Sequence, residues 1–293
     1  MSKFVVQSHF QNSRWLDVVW WLLLTILLYF GWPAQPLASY DNHPTALLPI
    51  ALLRGEGFSL HNFAEGAQAI KKWQSSSQHK PDDYDYIMVS PTGEVISDYP
   101  VFSAMLLLPW YGLFSIWKPE LWQATHFSNV VQQANYSAAV GITIAMAYVW
   151  FSTARLLGYS KKLTWFVLLI GIFATPVLSV SSRFVWQHTT AMWLISLALF
   201  FYCRRSWLLT SSLALLALLA RPAVGAIVGP VLLFAITKLL VDVLNEKTEK
   251  VAQSGLINAF INILKKEGII SGAVFLFALF AVGLQVWYAH RYL

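Results

Sequence analysis

The chain is 293 residues long, 57% hydrophobic and only 12% charged, with a mean hydropathy of +0.55 and a formal net charge of +6. Soluble domains carry about twice that charged fraction, so the composition excludes an ordinary soluble domain and predicts an all-α, multi-span membrane protein. The single Cys203 excludes an intrachain disulfide.

A membrane-crossing helix needs about 20 mostly apolar residues. By that measure the candidate spans are Trp15–Trp32, Ala134–Leu157, Leu163–Val180, Thr190–Cys203, Trp207–Ala220, Ala223–Val241 and Ile269–Tyr288. The first is too long and too aromatic for a cleaved leader, and no small-residue cleavage site follows it. Val101–Trp117 is the ambiguous segment, 17 residues broken by Pro109.

Charge decides how that segment counts. If it does not span, twelve basic residues (Lys3, Arg14, Arg155, Lys161, Lys162, Arg204, Arg205, Lys238, Lys247, Lys250, Lys265, Lys266) share one side with five acidic ones. The other side then holds eight basic and nine acidic residues. Lys and Arg accumulate on the cytoplasmic side. The expectation is therefore seven spans with the N-terminus inside, and the +6 charge needs no nucleic-acid partner. The localisation that follows is an integral membrane protein of a bacterial inner (plasma) membrane, with its large loop outside.

This topology makes residues 33–133 one external loop, long enough to expect function from it. Within it, Thr45–Arg54 reads as a short amphipathic helix ended by Gly55–Gly57. Tyr86–Val89 and Glu94–Ile96 flank Pro91-Thr92-Gly93 and read as a β-hairpin. Lys71–Asp85 is rich in Ser, Gln and charge. Val101–Trp117 becomes a helix lying on or dipping into the outer leaflet. After a module spanning residues 1–241, residues 242–268 read as a cytoplasmic linker. Leu256, Ile257, Phe260, Ile263 and Leu264 recur there at the spacing of an interfacial helix. Residues 269–293 supply the last span and a short tail. No internal repeat supports an inverted-repeat transporter. The Trp-rich flanks, including Trp20, Trp21, Trp110 and Trp122, read as interface belts.

The residues that carry chemistry sit at the outer rim. Asp41 lies in Ser39-Tyr40-Asp41-Asn42-His43-Pro44, just past the first span. A carboxylate at a bilayer rim is partly desolvated, which raises its proton affinity toward the range of a general base. The competing reading is a helix N-cap, a position Asp favours. Arg183, His188 and Arg221 are the candidate cations for a phosphate, whose oxygens a guanidinium fork matches. Snorkelling to headgroups is their structural alternative, and a hydrogen-bonded structural ring is that of His188. Asp98-Tyr99-Pro100 leads into the second loop helix, with Asp98 either a second acid or another N-cap. Asn42 and His43 flank Asp41. A divalent cation held by Asp41, His43 and a further oxygen is conceivable, but no ligand spacing is diagnostic, so no metal ligand or cofactor is assigned.

Several short motifs recur in a known family. They are Tyr40-Asp41; Pro49-Ile-Ala-Leu-Leu-Arg-Gly-Glu-Gly-Phe-Ser-Leu60; Gly93-Glu-Val-Ile-Ser-Asp-Tyr-Pro100 followed by Leu-Leu-Leu-Pro109; Ala174-Thr-Pro176 with Ser179; Val185-Trp-Gln-His188; and Ala217-Leu-Leu-Ala-Arg-Pro222. In this order, over residues 15 to 235, the chain resembles the GT-C superfamily of membrane glycosyltransferases. The resemblance implies a seven-span module whose first external loop carries the key acid and two surface-lying helices. It also implies a polyprenyl-phosphate-linked sugar as donor and a glycan, lipid or protein acceptor on the outer face. Asp41 would be the catalytic base, with Tyr40, Asn42, His43, Asp98, Tyr99, Arg183, His188 and Arg221 around the substrates. Two departures stand out. Tyr99-Pro100-Val101-Phe102 replaces the Tyr-Pro-Pro-Gly of many relatives, and many relatives continue past the position of Leu293. A catalytically silent subunit that binds lipid or scaffolds a complex is the alternative, with a transporter or flippase third.

Overall fold

The computed structural model describes residues 17–30, 43–75, 86–250 and 268–292, the stretch 242–250 by its backbone alone. Tyr40, Asp41 and Asn42 lie outside the described residues, as do residues 76–85 and the linker helix expected around Leu256–Lys266. The fold is all-α with one small hairpin, as composition predicts.

In chain order the helices are α1 (Asp17–Phe30), α2 (His43–Leu53), α3 (Ala64–Ser75), α4 (Phe102–Trp117), α5 (Asn129–Leu156), α6 (Lys161–Phe173), α7 (Gln187–Cys203), α8 (Trp207–Ala220), α9 (Gly225–Lys250) and α10 (Ile269–Tyr292). Strands β1 (Ile87–Val89) and β2 (Val95–Ser97) pair antiparallel, with Met88 opposite Ile96. The hairpin forms where Pro91-Thr92-Gly93 predicts it. Gly93 takes a left-handed φ of +84°, which a residue without Cβ adopts at little cost.

Among the described residues three helices are long and apolar enough to cross a membrane: Asn129–Leu156, Pro222–Val241 and Ile269–Tyr292. The expected seven spans are not supported. Helices α6, α7 and α8 have only 13, 17 and 14 residues, which at 1.5 Å per residue is about 20–26 Å against a hydrocarbon core of about 30 Å. Residues 163–180, expected as one span, divide because the α-helix stops at Phe173, just ahead of Thr175-Pro176, and the chain continues as a wide π-type turn over Val177–Ser181. Proline cannot donate into the ladder and crowds the preceding turn.

Side-chain contacts set the direction of each helix. Tyr136 of α5 donates to the carbonyls of Leu28 and Tyr29 at 3.1 and 2.9 Å, while Asp17 at the start of α1 pairs with Lys161 of α6 at 2.8 Å. The α5 and α7 helices are tied by Trp150 Nε1 donating to Ser196 Oγ at 2.7 Å. Phe234 of α9 meets Tyr202 and Trp207, and Tyr288 of α10 donates to the Ser97 carbonyl at 2.8 Å. Successive long helices therefore run antiparallel, and one end of the bundle carries α2, α3, the hairpin and the start of α4. The far end gathers Arg155, Lys161, Lys162, Arg204, Arg205 and Lys238 against Asp17.

Three packed clusters hold this arrangement. One lies at the bundle end under α2, α3, the hairpin and α4, around Leu47, Ile50, Phe63, Ile96 and Tyr111. A second surrounds α8, which α7, α9 and α10 enclose. Small residues such as Ala214 and Ala217 let these helices approach closely. The third joins α1, α5 and α6 through Leu24, Leu28, Trp165 and Ile172. Between helices that face lipid, such clusters stabilise through close van der Waals packing. Outer faces remain apolar, with Leu233 68% and Phe280 60% exposed. Thr45–Arg54 was expected to be amphipathic. The corresponding helix α2 is instead covered all round, every residue from Pro44 to Ala51 being buried.

Candidate functional site

A cavity of about 220 Å³ opens at the loop-bearing end of the bundle, lined by Thr45, Tyr99, Trp186, Gln187, His188, Arg221, Pro222 and Ala223. Four separate elements deliver these residues. Thr45 comes from the first turn of α2. Tyr99 lies between β2 and α4, its ring 4.7 Å from that of Tyr86. Trp186, Gln187 and His188 form the entry to α7, and Arg221 with Pro222 and Ala223 joins α8 to α9.

The local sequence explains the α7 entry. Trp186 is extended and precedes the first helical residue, Gln187. Thr189 Oγ1 donates to the Phe184 carbonyl at 3.1 Å and accepts from the Trp186 N–H at 3.3 Å. These bonds fold the chain sharply into the helix. The first backbone N–H groups of a helix have no intrahelical acceptor and carry its positive dipole end. Pro222 plays a similar part opposite, starting a short turn of 3₁₀ helix over Pro222–Val224 that leads into α9.

The polar part of the lining is rich in hydrogen-bond donors. Arg221 Nη1 contacts His188 Nε2. An arginine offers only N–H, so this contact requires a neutral imidazole accepting at Nε2 with its proton on Nδ1. The ring of His188 also lies parallel to that of Trp186, at 6.1 Å and 19°. Trp186 Nε1 and Gln187 Nε2 are both buried without a hydrogen-bond partner, a costly state for polar groups. A guanidinium, two unmatched N–H donors and a helix N-terminus are the equipment of an anion site. Among the described lining residues none is a carboxylate.

The residues singled out from sequence divide accordingly. Tyr99, His188 and Arg221 converge on the cavity. Arg183 does not line it. Its side chain is 9% exposed and lies near Tyr136. Burial lowers the proton affinity of its guanidinium, against the opposing influence of the Tyr136 hydroxyl. His43 is also elsewhere, stacked on Phe127 with ring centroids 4.1 Å apart and with Nδ1 3.5 Å from Glu65 Oε1. Burial raises the Glu65 carboxyl, but hydrogen bonds from His43 and from the Phe127 N–H at 2.8 Å outweigh it, leaving the group below the ordinary carboxylate value. Asp98 is exposed and does not cap α4, whose N-cap is Val101 with no side-chain bond. Asp41 stands four residues before Thr45 in the sequence. Among the described residues no group of three or more His, Cys, Asp or Glu is placed to hold a metal.

Trp186, Gln187 and Thr45 were not among the residues assigned from sequence. The signal for the first two was present in Val185-Trp-Gln-His188, where an indole and an amide precede a histidine at a helix entry.

Beside the cavity runs an apolar groove of about 330 Å³, lined by Leu106, Leu107, Pro109, Trp110 and Leu113 of α4, by Ala138, Gly141, Ile142 and Ala145 of α5, and by Thr190 and Trp193 of α7. His188 and Trp193 are five residues apart on α7, about 8 Å along the axis, so one helix borders both spaces. No family model matches the chain, and neither does a curated protein or a solved structure.

Proposed function

We propose that this chain is an integral membrane glycosyltransferase that moves a sugar from a polyprenyl-phosphate donor to an acceptor outside the cytoplasm. The observation that carries the reading is the donor-lined cavity, where Arg221, His188, Trp186 and Gln187 meet. At about 220 Å³ it is smaller than the roughly 300–1,000 Å³ of pockets that enclose a whole organic ligand. That size suits a phosphate head, with the chain attached to it left outside. The adjoining apolar groove supports a lipid as the bearer of that phosphate.

In this reading Arg221 and the N–H donors of Trp186 and Gln187 hold the departing phosphate and stabilise the charge it gains. Interactions that strengthen as charge develops are the ones that accelerate the step. His188 buttresses Arg221. Asp41 acts as the base: it takes the proton of the acceptor hydroxyl as the sugar carbon is attacked and the polyprenyl phosphate leaves. The apolar outer faces of α9 and α10 support a lipid setting for these helices. The basic far end, with Arg155, Lys161, Lys162, Arg204, Arg205 and Lys238, faces the cytoplasm by the positive-inside bias, which puts the cavity on the external side.

The test is transfer of label from polyprenyl-phosphate sugars in membranes carrying wild type or Asp41→Asn. Transfer by wild type and a loss of at least about 100-fold in the variant, with unchanged membrane content, is the expected result. Wild-type rates in Asp41→Asn overturn the assignment of the base. Lipid-phosphate binding without any transfer by wild type favours the silent-subunit reading.

A further inference from the structure

Asn135 is fully buried, on the second turn of α5, and touches neither the cavity nor the groove. Its Oδ1 accepts from the backbone N–H of Val185 at 2.7 Å, and its Nδ2 faces the hydroxyl of the equally buried Tyr111 at 3.4 Å. Val185 immediately precedes Trp186, Gln187 and His188, three consecutive lining residues. The two bonds therefore connect α5, α4 and the entry to α7 at one point. A buried amide is retained at such cost only when both its ends are used, and here the shorter bond falls on the chain segment that delivers the cavity's donors. No other backbone or side-chain acceptor for Val185 N–H occurs among the described residues. The bonds of Thr189 to Phe184 and Trp186 shape the turn internally. Asn135 ties that turn to α5 through the backbone.

We propose that Asn135 is a positioning residue for the cavity: through Val185 N–H it sets the height of Trp186, Gln187 and His188 against Arg221, and so the affinity of the site for a phosphate-headed lipid. The proposal rests on the reading of the cavity as a phosphate site. A merely structural Asn135 would change stability without changing how the donors work together. A positioning Asn135 couples to Arg221, because a guanidinium contributes fully only when its partner donors are in register. Residues that act as one unit lose less together than the sum of their separate losses.

The experiment titrates the full-length chain in maltoside micelles with dodecyl phosphate, with dodecanol as the uncharged control, and records the melting temperature without probe. Asn135→Leu is expected to weaken dodecyl phosphate binding about tenfold and leave dodecanol unaffected. Asn135→Asp keeps an acceptor oxygen for Val185 N–H and is expected to stay within about twofold of wild type. Arg221→Gln weakens binding by itself, and Asn135→Leu added to it costs less than about twofold more. Wild-type affinity in Asn135→Leu, or a full additional tenfold loss in the double variant, overturns the proposal. Should Asn135→Leu fail to fold, Asn135→Ala, which removes the acceptor at smaller steric cost, is read by the same criteria. Unchanged affinity in Arg221→Gln overturns the phosphate reading instead, and that arm separates the two failures.

Discussion

His43 and Glu65 show how a residue next to a suspected catalytic acid acquires a structural task. The imidazole lies on Phe127 and faces a carboxylate that also accepts the Phe127 N–H. Glu65 thereby anchors α3 to the start of the chain that enters α5. Its proton affinity is depressed in the folded protein relative to the ordinary value of 4.5. Its contribution to stability is complete above that value and disappears as pH falls through the lower folded-state value, because the unfolded chain then binds the proton more tightly. Thermal melts of wild type and Glu65→Gln are expected to differ most at pH above the ordinary carboxylate value and to converge as pH falls through the lower folded-state value. A gap that persists or widens in acid would sink the assignment. At this scale the sequence was partly legible. His188 and Arg221 stood out because charge amid apolar neighbours demands a partner. Trp186 was hidden because an indole beside an apolar helix reads as an interface anchor, and Arg183 is buried away from the cavity lining.

Element by element, local chemistry was legible where turn residues dictate backbone conformation, and illegible where burial is decided by distant packing. The β-hairpin appears where Pro91-Thr92-Gly93 puts it. Helix α2 was located by its apolar run, but nothing within Leu47–Leu53 indicated that α4 and the hairpin would cover its remaining face. Helix α3 supplies a sharper case. A Cβ on Gly66 would lie 2.1 Å from the Leu60 carbonyl oxygen and 3.2 Å from Val95 Cγ1. The helix thus approaches the chain leading into the hairpin too closely for any side chain at this position. Gly66→Ala, although it raises helix propensity, is expected to destabilise the protein by about 1–3 kcal/mol, the usual cost of overpacking. A chemical or thermal melt reads it. An unchanged or raised midpoint would show that this contact yields freely.

At the scale of the whole molecule, antiparallel helices separate two chemically different ends. One carries the cavity and the hairpin, and the other carries the basic residues between α5 and α6 and between α7 and α8. The alternation was legible from hydropathy and charge, whereas the number of full-length spans was not: α6, α7 and α8 are largely apolar but short, and composition alone does not reveal where a helix stops. The proposed orientation is testable with the chain's one cysteine. Cys203 is half-buried at the basic end. In intact cells a membrane-impermeant maleimide is expected to leave Cys203 unlabelled until permeabilisation and to label Asn62→Cys, on the exposed loop between α2 and α3, at once. The reverse pattern overturns the orientation.

The bond from Tyr288 to the Ser97 carbonyl spans 191 residues, and that separation governs the order in which the protein matures. At a synthesis rate of about 5–20 residues per second, roughly 10–40 s pass between the emergence of the hairpin and that of its last partner. Through that interval Phe58, which packs against Trp287 and Tyr288, lacks its cover. The hairpin end of the molecule is therefore completed last, although two-thirds of the chain is made after it, and the cell's insertion and quality-control machinery meets it in an unfinished form.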